Sequence, residues 1–233
     1  MCRKNRVRGS GGYLMEEMES RVLLSVAVSK PVLFNAAVKA DRLEVRADLA
    51  QFRADCFSFD AKLLTDTTNI KKDDPAQATT VGPLLQTMKN DIHTMRTTLK
   101  EDRLTEGANA LADESVIDQE LVQLIKDKGN AQAVAADKAA LLTDRIQLQT
   151  DLVAGLNSRI ATRQAAYSTL IADGDAVVAA AETDPNASVK LTADLTKWTT
   201  DRSDGMTTLL TDLQSLVNAR TQLVEDLTAM QGT

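Results

Sequence analysis

Apolar side chains recur along this chain in steps of three and four, the period of a helix with one buried face. From about Asn35 to Lys71 the sequence also repeats in sevens. Asp41 to Ala47, Asp48 to Ala54 and Asp55 to Ala61 each open on aspartate and close on alanine. Val38, Val45, Leu49, Phe52, Cys56, Phe59 and Leu63 form an apolar seam that can interlock with a partner helix. Asp73-Asp74-Pro75 closes this stretch, because proline lacks an amide hydrogen and clashes with the turn before it. A second stretch opens near Pro83, whose fixed φ suits a first helical turn. Leu85, Met88, Ile92, Met95 and Leu99 carry its seam; beyond Gly107 we place Leu111, Val116, Leu121, Leu124 and Ile125 in it. The chain reverses at Gly107 or at Gly129-Asn130.

The third stretch runs from about Ala131 to Glu182. Leu142, Ile146, Val153, Leu156, Ile160, Tyr167, Leu170 and Val177 lie in its seam, with Gln149 and Arg163 as polar members. Thr183-Asp184-Pro185-Asn186 ends it. The fourth, from about Ala187 to Met230, holds Leu191, Leu195 and Trp198, then Leu209, Leu213, Leu216, Leu223, Leu227 and Met230, with Arg220 inside. The four stretches have roughly 37 to 52 residues and span about 55–80 Å. The expected fold is all-α, an elongated antiparallel bundle of about four long helices with coiled-coil-like heptad seams. A rod with one helix of about 75 residues crossing Gly129 is the alternative. Residues 1–34 read as a basic arm with an export- or sorting-like segment, and residues 35–233 as the bundle domain.

Composition agrees with packed helices. The chain has 233 residues; 43% are hydrophobic but only 3% aromatic, so Ala, Leu and Val supply the apolar surface. Threonine is frequent and a mediocre helix former, so tertiary packing has to hold these helices. Residues 1–14 carry four basic side chains and no acid, leaving 23 basic and 33 acidic residues in the rest, a net charge of −10. That acidic body repels a phosphate backbone and argues against nucleic acid as a partner.

The start of the chain reads differently. Arg3, Lys4, Arg6 and Arg8 precede a Gly-Ser-Gly-Gly hinge and then the short apolar run Val22-Leu23-Leu24-Ser25-Val26-Ala27-Val28. The order is that of a signal peptide, a positive region and then an apolar one, and the run is too short for an integral membrane span. Glu16, Glu17 and Glu19 depart from that pattern. They suit another: Met18 to Ser25 resembles the LEPR-XLL region near the N-terminus of exported and surface proteins of planctomycete-type bacteria. Glu19, Arg21, Leu23, Leu24 and Ser25 match it, while Met18 stands for Leu and Ser20 for Pro. The resemblance implies export or surface sorting and assigns no activity.

Chemistry is sparse elsewhere. His93 is the single histidine, placed mid-helix beside Ile92, and the sequence has no G-x-S-x-G elbow to accompany it. One histidine with Cys2 and Cys56 falls short of a zinc set. No phosphate-cradling glycine motif and no Glu-x-x-His pair occurs. We therefore expect no catalytic, metal or cofactor-binding residue. Trp198 reads as core, and Arg163, Arg202 and Arg220 as stem-packed residues or as polar contacts that fix register.

One charge pattern points to a partner. With Val45 and Phe52 at d, Asp41 and Asp48 fall at g and Arg46 and Arg53 at e. In a parallel pair, g meets e of the following heptad, so these residues attract between two copies. In an antiparallel pair with the second helix e meets e, so basic Lys89, Arg96 and Arg103 would face basic Arg46 and Arg53. The expected function is a non-enzymatic exported or surface-associated scaffold whose partner is a second copy or another helical protein. The alternatives are a cytosolic coiled-coil adaptor and, last, a helical-bundle enzyme.

Overall fold

The structure, a computed structural model, describes residues 36–73 and 78–231. Among them 93% are helical and none lies in a strand, so the core is built of helix against helix. The elements are α1 (Ala36–Lys72), α2 (Val81–Lys126), α3 (Ala131–Thr183) and α4 (Val189–Gln231). α2 runs unbroken through Gly107, and the reversal falls at residues 127–130, which removes the single-rod alternative. There Asn130 Oδ1 accepts hydrogen bonds from the amides of Gln132 (3.1 Å) and Ala133 (3.2 Å), satisfying two donors at the start of α3. Ser188 Oγ does the same for the Leu191 amide at the start of α4 (3.0 Å).

α2 packs on α3, α3 on α4 and α4 on α1. Threonines within the helices satisfy their hydroxyls locally: Thr94, Thr98 and Thr207, for example, each donate to the carbonyl four residues back. Where one bundle domain was expected over residues 35–233, the described chain divides into two compact units, and all four helices contribute to each.

The first unit comprises Leu49–Lys100 and Arg159–Gln214. A cluster in its interior includes Met88, Leu170, Val177, Leu191, Leu195 and Trp198. Full burial of each such side chain contributes about 1.5–3 kcal/mol. α1 and α4 run antiparallel here. Lys197 Nζ donates to the buried Asp66 Oδ1 (2.8 Å), and seven residues away in each direction Lys190 pairs with Asp73. Its two loops are tied by Asp184, whose Oδ2 accepts from the Thr80 amide (3.1 Å) and Thr80 Oγ1 (2.7 Å). The Asn186 amide, then the two Thr80 donors, hold the Asp184 carboxyl below the usual aspartate range.

The second unit comprises residues 36–48, Glu101–Ser158 and residues 215–231. Ala110 and Ile117 of α2 pack with Leu141, Leu148 and Leu152 of α3. Val38 of α1, Leu142 of α3, and Leu223 and Leu227 of α4 form a separate cluster. Gln149 and Arg220, both placed in seams by the sequence, meet: Arg220 Nη1 donates to Gln149 Oε1 at 2.7 Å.

The seam expected for α1 is observed, with Val38, Val45, Leu49, Phe52 and Cys56 all buried. Over long stretches, however, buried positions recur at eleven residues as well as seven. On α3 the inward row is Arg145, Leu148, Leu152, Leu156, Arg159, Arg163, Tyr167 and Leu170, stepping three, four, four. Eleven residues over three turns give about 3.67 per turn, close to the 3.6 of a straight helix. This phase carries arginines inward. Arg163 lies over the Phe52 ring (5.7 Å to its centroid) and Arg202 over Trp198 (4.4 Å), so rings as well as oxygens receive interior guanidinium groups.

Two glycines of similar sequence context should respond oppositely to alanine. At Gly107 an added Cβ meets open space, so Gly107→Ala should raise stability by about 0.5–1 kcal/mol. At Gly205 it would collide with the Phe59 ring, so Gly205→Ala should lower stability by about 1–3 kcal/mol. Urea denaturation of the two variants checks both signs. In the second unit, Gln149→Leu should cost about 1–3 kcal/mol by removing an acceptor from Arg220. Adding Arg220→Leu should recover most of that loss in a double-mutant cycle.

Candidate functional site

α2 changes phase after Leu99. Its inward positions become Glu106, Ala110 and Ile117, with Leu121 and Leu124 partly covered. The seam expected beyond Gly107 is thereby corrected: Leu111, Val116 and Ile125 are exposed, while Leu121 and Leu124 keep to the inner side. The cause is a step of four followed by four, which passes through an acid and an alanine that no hydropathy pattern marks as core.

The consequence is an apolar stripe on the second unit's surface. Leu104 (59% exposed), Leu111 (44%), Val122 (51%) and Ile125 (56%) point within about 60° of one another at 100° per residue. They extend along about 30 Å of helix. Ser115 and Asp118 interrupt the stripe at its middle. A shallow open groove runs along this face, lined by Leu111, Ser115, Asp118, Gln119, Val122 and Lys126.

The residues expected to mediate self-association are not gathered into an exposed face. Asp41 is buried within the second unit, facing Asp226 of α4. Arg46 is exposed, and Asp48 and Arg53 are half-buried. The α1 seam that a parallel pair would need is filled by this chain's own helices. In the first unit Asp66 of α1 and Asp73 just after it pair with Lys197 and Lys190 of α4. Glu19, Arg21, Leu23, Leu24 and Ser25 of the sorting-like motif lie outside the described residues.

His93 is exposed on α2, Cys56 is buried in the α1 seam and Trp198 is buried in the first unit's core. Among the described residues no three His, Cys, Asp or Glu side chains converge as a metal ion requires. No helix among them is long and apolar enough to cross a membrane.

Carboxyl groups meet carboxyl groups at the helix interfaces. Asp113 of α2 faces Asp151 of α3, and burial followed by that neighbour raises the Asp113 pKa above its ordinary value. Asp41 opposite Asp226 behaves alike in the second unit, as does Asp173 opposite Asp91 in the first. In each raised member one buried oxygen, Oδ2, has no hydrogen-bond partner. No family model, curated protein or solved structure matches the chain.

A raised carboxyl pKa means the folded protein holds protons that the unfolded chain has released. The stability linked to Asp113 is therefore full below the ordinary aspartate range, near pH 4, and is lost as pH rises through its raised value. Asp113→Asn removes the repulsion and supplies a donor to Asp151. It should melt higher than the parent at pH 7, with the gap closing toward pH 4. Thermal melts across that range check it, and a gap independent of pH would count against the pairing.

Proposed function

We propose that this chain is a non-enzymatic helical scaffold, exported or surface-associated, that works by pairing α2 of the second unit with α2 of another copy. The exposed row Leu104, Leu111, Val122 and Ile125 carries this proposal. An apolar row at helical spacing, broken by polar residues only at its middle, suits a second helix laid along it. A second copy fits because the middle of the row is self-complementary when turned end for end. A twofold axis between Val116 and Ile117 sets Leu111 opposite Val122, Ile125 opposite Ala108 and Ser115 opposite Asp118, so apolar faces apolar on both sides of the polar break. Export rests on the LEPR-XLL resemblance at Glu19, Arg21, Leu23, Leu24 and Ser25. A cytosolic adaptor would use the same face and differ in address, which fractionation of the native source distinguishes.

Light scattering coupled to size exclusion tests the pairing on the full chain. A mass near twice 25.2 kDa is expected for the parent. Leu111→Gln with Val122→Gln should return it to one chain with its helical circular dichroism unchanged, since both side chains are exposed. Arg46→Asp should leave the dimer intact. A parent that stays at one chain's mass, or a dimer indifferent to the two glutamines, sinks the proposal.

A further inference from the structure

A charge is buried in the second unit, close in sequence to residues of two apolar clusters. Leu141 and Leu148 of α3 belong to the cluster with α2, and Leu142 to the cluster with α1 and α4. Arg145 lies on α3 one turn from each, only 2% exposed. Its Nε, Nη1 and Nη2 are all shut off from solvent, and none has a hydrogen-bond partner among the described residues. Other interior arginines are received: Arg220 by Gln149, Arg163 by the Phe52 ring and Arg202 by the Trp198 ring. Arg145 has no such contact.

The charge near it makes the position worse. Arg42 of α1, partly exposed, is close enough to repel it. Arg46, one turn further along α1, in turn repels Arg42. No described carboxylate offsets this group. Burial, then Arg42, lower the Arg145 pKa to about 10, which still leaves it cationic at neutral pH. The chain thus keeps a positive charge out of water, beside a second one, in a body whose net charge is strongly negative. An unpaired buried ion is costly, and a guanidinium does not escape the cost by shedding its proton under ordinary conditions.

We propose that Arg145 and Arg42 form a binding site for a compact oxyanion, with the partly exposed Arg42 marking its solvent side. The planar fork of donors on each guanidinium suits a group with two adjacent acceptor oxygens, as in phosphate or carboxylate. Such a group neutralises both cations and supplies the acceptors that Arg145 lacks. Between α1 and α3 it also ties together two helices that no described ion pair joins in this unit.

The test is the melting temperature of the full chain in potassium phosphate, potassium acetate and potassium chloride at matched ionic strength. The parent should show a saturable rise over chloride in phosphate, in acetate or in both; the active salt identifies the group the site takes. Arg145→Met keeps the side-chain stem and removes the donors, so it should abolish the rise. Arg42→Gln, at a partly exposed position where folding is not at stake, should reduce it and decides the matter should Arg145→Met fail to fold. The proposal is overturned by a parent that melts alike in all three salts, or by a rise of equal size in parent and variants.

Discussion

A guanidinium taken out of water is stabilised by an oxygen or a ring, and that preference shapes how these helices meet. Arginines reach the interior because buried positions on α3 and α4 recur at eleven residues, which draws Arg145, Arg159, Arg163, Arg202 and Arg220 inward. Apolar side chains packed in layers tolerate sliding by a turn, since one leucine replaces another at small cost. The Arg220–Gln149 hydrogen bond does not tolerate it, because a shifted register would set the guanidinium against a side chain without an acceptor. The net energy of such a contact is modest, while the penalty for every other alignment is larger. Register is therefore selected more by what misalignment costs than by what alignment yields.

The same preference explains the placement of aromatic residues in a chain that has few of them. Phe52 and Trp198 sit in seam positions that leucine could fill, yet each presents a ring to an arginine. A ring buries apolar area and receives a cation at once, which leucine cannot do. Asp66, Asp73 and Asp184 perform the corresponding task for the first unit with carboxylates. Two hold the side of α1 to α4, and one joins the loops.

Much of the architecture could be read from local chemistry. Pro83, Asn130 and Pro185 mark helix boundaries through steric and hydrogen-bonding effects that act within a few residues, and the observed limits follow them closely. The α1 and α4 seams were legible because their inward positions are apolar. The α2 seam after Gly107 was not, since Glu106 and Ala110 occupy it while Leu104 and Leu111 face outward. Arg145 and Arg159 were missed for a related reason: hydropathy assigns arginine to the surface. The eleven-residue interval joining Arg145, Leu156 and Tyr167 is the signal in the sequence that marks them. The Asp66–Lys197 pairing spans 131 residues, and no local rule reaches that far. A parallel pair through α1 needs an open seam there, and a sequence alone does not say which seam the chain fills itself.

The second unit carries two features that its own described residues leave unsatisfied, and these are where function is best sought. The first unit has interhelical ion pairs and loops joined by Asp184. The second has an uncovered apolar row on α2 and an arginine without an acceptor among the described residues. Each of these costs folding free energy. Inward rotation of α2 would cover Leu104 and Leu111, but it would turn Ala110 and Ile117 outward and move Glu106 from its place against Gly155 of α3. The phase that leaves the row exposed is thus set by the residues buried on the opposite side of the same helix. A helix held in that orientation turns its apolar row outward, as the proposed pairing with another helix requires.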